Sequence, residues 1–449
     1  MPSVAFSVKE NFVVIAASRF ALSQSGRYCG KHAALARPRH GRLCQMPCNL
    51  PHGAPTLPPM TRPTSPWIAI VALYATGLGA AGQFAKMAVI LPELGRAYPE
   101  AGTLLGFLVS LLSLMGVLLG LVAGLLVARI GFRRTLIWAL TAGCAISLAQ
   151  TSLPPLPVML ALRVAEGATH LAIVVAAPTL IAQIAPDRIR PAALTLWGTF
   201  FGVAFAMVAL VGVPLAERYG IGTLFAAHAT WMAAMALLLL RLVAADTPIP
   251  PADQRLTLAG LLRRHISLYR SPFLAAPAWG WLFYTLTFVA LLAVWPPLLP
   301  TRAATLTATL APLTAIAVSM TLGMALLRRW PAVKVVMLGF ALAFCLALTL
   351  PLAPGSALPA IALFACLGLV QGASFAAIPQ LNDTAAARAL ANGALAQMGN
   401  LGNMIGTPLM LAVHEGTGKP GLSLIVALFY VAALFTHYGL SRARTRTAG

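Results

Sequence analysis

Arg163, Glu166 and His170 stand three and four residues apart in an otherwise apolar stretch, so an α-helix would carry all three on one face. Charge inside apolar sequence is costly unless it is paired or faces water, and such residues mark solute or ion paths. In this pattern an arginine can hold an anion, and a carboxyl beside it can take up and release a proton as water enters and leaves. The same two residues can instead be a structural ion pair, with His170 a lone hydrogen-bonded histidine. A second group is aromatic: Trp279, Trp281 and Tyr284 lie in a later apolar stretch that has no charge. Rings on one side and fixed charge on the other suit a small organic anion with a planar or apolar part, although the tryptophans can also be interfacial anchors. Gln397, Asn400 and Asn403 repeat every three residues and read as hydrogen bonds between helices.

The elements that position these residues must be membrane spans. The chain has 449 residues, of which 59% are hydrophobic and 9% charged, with 31 Lys and Arg against 10 Asp and Glu. A basic excess of +21 in a polar chain would suggest nucleic acid. Here it is spread between charge-poor blocks of about twenty residues, the length that crosses a bilayer. Apolar blocks bounded by Pro, Gly and charge predict an all-α polytopic protein of twelve spans near 66–91, 103–128, 134–154, 157–184, 191–215, 221–243, 273–299, 303–327, 333–353, 357–380, 386–412 and 420–440. From Pro157, Glu166 then lies about 14 Å deep at about 1.5 Å per residue, near mid-membrane.

Beyond residue 59, the even-numbered gaps and both ends hold eighteen basic residues and the odd-numbered gaps four, namely Arg96, Arg218, Arg302 and Lys419. The positive-inside rule then predicts both termini in the cytoplasm, as in a bacterial inner-membrane protein. The expected domains are an extension 1–59, a six-helix bundle 60–243, a cytoplasmic linker 244–272, a second six-helix bundle 273–441 and a basic tail 442–449. Residues 1–59 read as a disordered tail or as sequence ahead of a true start near Met60. The six cysteines ask for no disulfides. No span holds a metal cluster, an acidic pair or a nucleophile with its base, so neither a cofactor nor enzymatic activity is expected. The linker is too short for the output domain of a sensor.

The two halves echo each other. Gly124-Leu-Leu-Val-Ala-Arg129 matches Gly323-Met-Ala-Leu-Leu-Arg328, Glu166-Gly-Ala-Thr169 matches Gln371-Gly-Ala-Ser374, and Gly212-Val-Pro214 matches Gly406-Thr-Pro408. Three matches in order at offsets of 199, 205 and 194 indicate a parallel repeat, with neutral Gln371 opposite Glu166. Gly116, Gly120 and Gly124 recur every fourth residue and let a neighbouring helix come close.

Gly124-Leu-Leu-Val-Ala-Arg-Ile-Gly-Phe-Arg-Arg134 resembles the loop between spans 2 and 3 of the major facilitator superfamily, and Arg163-Val-Ala-Glu-Gly167 is similar to its span 4 motif. The resemblance covers roughly residues 64 to 441. It implies two pseudo-symmetric six-helix bundles and alternating access, with Gly124, Arg129, Gly131, Arg133 and Arg134 in a gating loop. It also implies a central cavity lined by spans 1, 4, 7 and 10. Lys86 and Gln83 then become neighbours of Arg163 and Glu166, unless Lys86, nineteen residues past Trp67, snorkels to the nearby interface. The family's loop usually has an acid before its first arginine where this chain has Ala128, so a lock depending on that acid is weakened or made otherwise. The span 5 Gly-Pro pattern of many drug/proton antiporters is not reproduced. The Ala-Arg-Ile-Gly form of the loop is similar to branches that include cyanate-type transporters. The expected function is proton-coupled transport of a small, anionic organic solute by a monomer in the lipid bilayer, or else proton-driven export of hydrophobic compounds.

Overall fold

Helices begin where proline enters the first turn and end where glycine turns the chain, two preferences that follow from a fixed φ and from a missing Cβ. In the computed structural model, which describes residues 65–246, Ile266 and 268–448, α1 (Pro66–Ala88), α4 (Leu156–Ile184) and α10 (Leu358–Leu381) all have proline in the first two positions. Gly131, at φ 102°, separates α2 (Leu105–Ser110 continuing through Leu114–Ile130) from α3 (Phe132–Gln150). Gly220, at φ 88°, separates α5 (Ala192–Tyr219) from α6 (Ile221–Leu242). The later helices are α7 (Ala275–Val294), α8 (Thr301–Leu327), α9 (Ala332–Thr349) and α10. A final helical stretch, Ala385–Ala448, is broken at Gly418 (φ 67°, ψ −162°) into α11 (385–417) and α12 (419–448). The predicted extension 1–59 and most of the predicted linker 244–272 lie outside the described residues.

Ten helical stretches are long and apolar enough to cross a membrane, and the last of them, Leu390–Arg446, contains the break at Gly418. The nineteen-residue α3 lies between two of these stretches, with Arg133 and Arg134 in its first turn lowering its apolar content. The twelve predicted segments are therefore all helical. Three boundaries differ from the sequence reading. The first helix stops at Ala88 and a separate short helix, Leu91–Ala97, follows, because Pro92 favours a new helix start. The eleventh runs past residue 412 to the Gly418 break, and the predicted tail 442–449 continues α12 as helix to Ala448. Leu118, Trp138, Leu237 and Phe435 are exposed on the outer faces, as lipid contact requires.

The packing differs between the two ends of the bundle. At the end holding the odd-numbered loops, one apolar core joins both halves, including Phe84, Ile90, Leu108 and Phe225 with Val289, Trp295, Leu350 and Leu422. At the end holding the even-numbered basic loops the cores are separate. Ile70, Leu136, Ile173 and Leu239 form one from the first half alone, while Leu268, Ala278 and Ala394, and Ile378, Ala391 and Leu395, form others from the second. The glycines of α2 report the same divergence from α11. A Cβ added at Gly106 would lie 2.6 Å from Pro408 Cα, one at Gly116 would strike Asn400, one at Gly120 would be 3.8 Å from Gln397, and one at Gly124 would meet nothing within 4 Å. The halves part toward the basic loops. Where α5 crosses α8, Gly202 against Ile316 and Pro312, each helix has one π turn, Val208–Gly212 and Ser319–Gly323.

Candidate functional site

α4 delivers Arg163 and Glu166 to the same spot because they are one helical turn apart, and their side chains form an ion pair. α1 supplies Lys86, whose Nζ is 2.7 Å from Glu166 Oε1. All three side chains are fully enclosed, so no charge here faces lipid or water in this conformation. Lys86 does not snorkel: it lies in the cluster, with its Nζ also 5.5 Å from the centre of the Phe225 ring. The correction has a geometric cause, since α1 ends at Ala88 in a turn packed beneath the short helix Leu91–Ala97 instead of at open interface.

Every polar atom around the three charges has a partner of the right kind. Lys86 Nζ donates to Ser147 Oγ at 2.8 Å and Gln150 Oε1 at 2.7 Å, and Gln150 Nε2 donates to Glu166 Oε2 at 3.0 Å. Arg163 Nε donates to the Leu108 carbonyl at 2.6 Å, and its Nη2 to the Gln83 carbonyl at 3.0 Å. Gln83 Nε2 donates to Thr169 Oγ1 at 2.8 Å. His228 Nδ1 lies 2.8 Å from Ser147 Oγ, and its Nε2 lies 2.9 Å from the Gly79 carbonyl. The network thus ties α1, α2, α3, α4 and α6 together. Such closure is what a buried charge requires, because an unpaired one in apolar surroundings is far more costly than a satisfied one.

The predicted stripe of Arg163, Glu166 and His170 is therefore only two-thirds realised. His170 turns instead to the Ala80 carbonyl, 3.0 Å away, with its ring edge-on to Phe84 at 5.1 Å. Sequence reasoning missed Ser147, Gln150 and His228. The first two sit three residues apart at the end of α3, a polar pair in an apolar block that could have been flagged; His228 stands alone in α6 and carries no such signal.

In the second half, Trp281 stacks on Tyr284 with ring centres 4.5 Å apart, Tyr284 stacks on Phe288 at 5.1 Å, and Phe288 meets Phe364 edge-on at 4.9 Å. Phe375 of α10, half exposed, lies edge-on to Trp281 at 5.0 Å. Gln371 is half-buried on α10. The carbonyls that approach the glycines sharpen the repeat. Gly167 sits against the Leu112 carbonyl of α2, and Gly368 sits against the Ala315 carbonyl of α8. By this contact the counterpart of Gly167 is Gly368, a turn before Gln371, which puts Leu367 opposite Glu166. Trp279 is half-buried against Tyr269.

Between the halves, Gln397 Nε2 donates to the Val117 carbonyl at 2.9 Å and its Oε1 accepts from the Tyr269 hydroxyl at 3.0 Å. Burial pushes the Tyr269 phenol up to about 12, so it remains a donor. Of the three amides predicted to join helices, Gln397 does so; Asn400 donates to Ala396 of its own helix while packing on Gly116. At the gating loop, Arg129 and Arg134 are exposed and Gly124 faces open space. The acid missing at Ala128 has a stand-in from beyond α6: Asp246 accepts from the backbone N–H of Arg133 at 2.9 Å and of Arg134 at 2.8 Å, capping the start of α3. Arg133 Nη2 donates to the Leu240 carbonyl at 2.9 Å. A Cβ at Gly131 would collide with the Asp246 carboxylate, which requires glycine there beyond the demand of its positive φ.

A family model described as Major Facilitator Superfamily matches residues 68–407. Among solved structures, a bacterial homologue of the human lysosomal transporter Spinster, in an inward-facing and unoccupied conformation, superposes with a TM-score of 0.65 at 14% identity, covering 84% of this chain and 98% of that one. No curated protein sequence matches the chain.

Proposed function

Because this chain belongs to the Major Facilitator Superfamily, and is thus a membrane transporter and not an enzyme, we propose that it is a secondary active transporter of a small organic anion, coupled to protons and working by alternating access. The observation that carries this reading is the enclosed cluster of Lys86, Arg163 and Glu166, two cations and one carboxylate at mid-membrane. Arg163 and Lys86 supply the charge that favours an anion, Glu166 and its neighbours the proton coupling, and Gln83 orients the first helix against α4. Trp281 and Tyr284, with Gln371 nearby, form the apolar wall that receives the planar part of the solute. Divergence of the halves toward the basic loops supports alternating access, with the loop from Gly124 to Arg134 moving as the cavity closes. The same reading has bundles 60–243 and 273–441 rocking as a monomer in the bacterial inner membrane, with both termini cytoplasmic.

One observation favours a second reading, export of hydrophobic compounds: the half-exposed Phe375 ring beside Trp281 offers an apolar solute a surface without charge. Flux in proteoliposomes of benzoate, lactate and the dye ethidium, with and without an imposed pH gradient, separates the two. Anion movement accelerated by the gradient and lost in Arg163→Gln supports the first reading. Ethidium movement that survives Arg163→Gln but not Glu166→Gln supports the second, and no flux under either gradient overturns both.

A further inference from the structure

The cluster at α4 has a charge that does not balance, and the imbalance identifies the group that can change. Arg163 and Lys86 are two cations, and Glu166 is the single carboxylate that touches them. The other titratable groups near Lys86 are His228 on α6 and, a turn beyond Glu166, His170 on α4. α3 brings the neutral Ser147 and Gln150, α2 brings only backbone carbonyls, and the adjacent rings are those of Phe84 and Phe225.

The protonation of His228 follows from its partners. A carbonyl only accepts, so Nε2, which faces the Gly79 carbonyl, has the proton, an assignment made from the hydrogen-bond network. Nδ1 then accepts from the Ser147 hydroxyl, and the ring is satisfied as a neutral imidazole. With His228 neutral, the enclosed cluster has a net charge of +1.

Three groups could in principle relieve this excess. Arg163 cannot, since a guanidinium does not lose its proton in a protein. Protonating Glu166 would raise the net charge and leave two enclosed cations facing a neutral acid. Lys86 is what remains. We infer that Lys86 is the group that carries the transported proton, so that the cluster alternates between +1, which draws a monovalent anion to the neighbouring cavity, and zero, which does not. The exchange is one of protons only: Lys86 Nζ gives one proton to water on one side of the membrane and regains one on the other, and no covalent bond to carbon changes. Its surroundings accept either form. The ammonium donates three hydrogen bonds, to Glu166, Gln150 and Ser147; the neutral amine keeps two donors for Glu166 and Gln150 and presents a lone pair to the Ser147 hydroxyl, which can donate as well as accept. One proton then accompanies one monovalent anion, and the cycle moves no net charge.

This inference rests on the proton-coupled anion reading above, and its test keeps the two apart. Benzoate and lactate flux is measured in proteoliposomes under a pH gradient alone, under a membrane potential alone and as exchange without a gradient. The wild type is expected to accumulate anion under the pH gradient and to ignore the potential. Lys86→Arg fixes the charge at +1, so exchange persists within about twofold, while accumulation driven by the pH gradient falls at least tenfold. Lys86→Met leaves the balanced pair of Arg163 and Glu166 and loses both exchange and accumulation. Each variant is first checked for a single size-exclusion peak and for cooperative unfolding. Lys86→Arg that accumulates anion as the wild type does overturns the inference, and if Glu166→Gln loses accumulation in the same assay the proton belongs to Glu166. Accumulation driven by the potential also overturns it. If the wild type moves no anion under any condition, the underlying reading of the function fails instead.

Discussion

The two halves solve the same packing problem with opposite chemistry. In the first, five helices converge on three charges and their amide, hydroxyl and imidazole partners; in the second, the corresponding interior is Leu367 beside a ladder of rings from Trp281 to Phe364. Hydrogen-bonded charge fixes directions and tolerates few arrangements, whereas stacked rings over apolar surface can slide or tilt with little change in energy. The difference suggests a division of labour, with one half holding and switching charge and the other adapting to the shape of what is carried.

The comparison breaks most sharply at Glu166. Glu166→Leu leaves two enclosed cations without their carboxylate and should cost about 3–5 kcal/mol, read as a large drop in Tm in detergent, while Leu367→Met in the matching position should cost less than about 1.5 kcal/mol. Replacing Lys86, Arg163 and Glu166 together by apolar residues should recover most of that loss of stability and none of the pH-driven flux, which would separate the structural role of the cluster from its transport role. A smaller effect is expected in the second half. Trp281→Ala removes one stacking partner worth up to about 1.5 kcal/mol, so KM for a planar anion should rise about tenfold with kcat little changed. If KM stays constant for benzoate, the rings only fill space. The smallest effect concerns Asp246, where Asp246→Ala removes a helix cap and should lower stability by about 1 kcal/mol in equilibrium unfolding, with Asp246→Asn retaining most of it.

Much of the architecture was legible because a membrane span announces itself by length, apolar content and the proline, glycine and arginine at its ends. The pairing of Arg163 with Glu166 followed from a spacing of three on a helix. Lys86 was harder, because distance along α1 measures depth but not what packs beside it, and the short helix after Ala88 closes off the route to the interface. His170 misled for a related reason: four residues put it on the right face, yet the Ala80 carbonyl of α1 was nearer than the ion pair. Ser147, Gln150 and His228 come from two other helices, and only tertiary packing brings them together. Asp246 was invisible as the loop's acid since it lies more than a hundred residues from Arg133 in sequence.

The π turns in α5 and α8 have a consequence for how this seam can change over evolutionary time. Each holds one residue more than a regular helical turn, and the wide turn absorbs that surplus locally; in an unbroken helix the extra residue would rotate everything beyond it by about 100°. The crossing of these two helices therefore tolerates single-residue changes in length that keep the outward and inward faces in phase. The contact across which the halves pivot can be lengthened or shortened by one residue without exchanging its lipid side for its solute side.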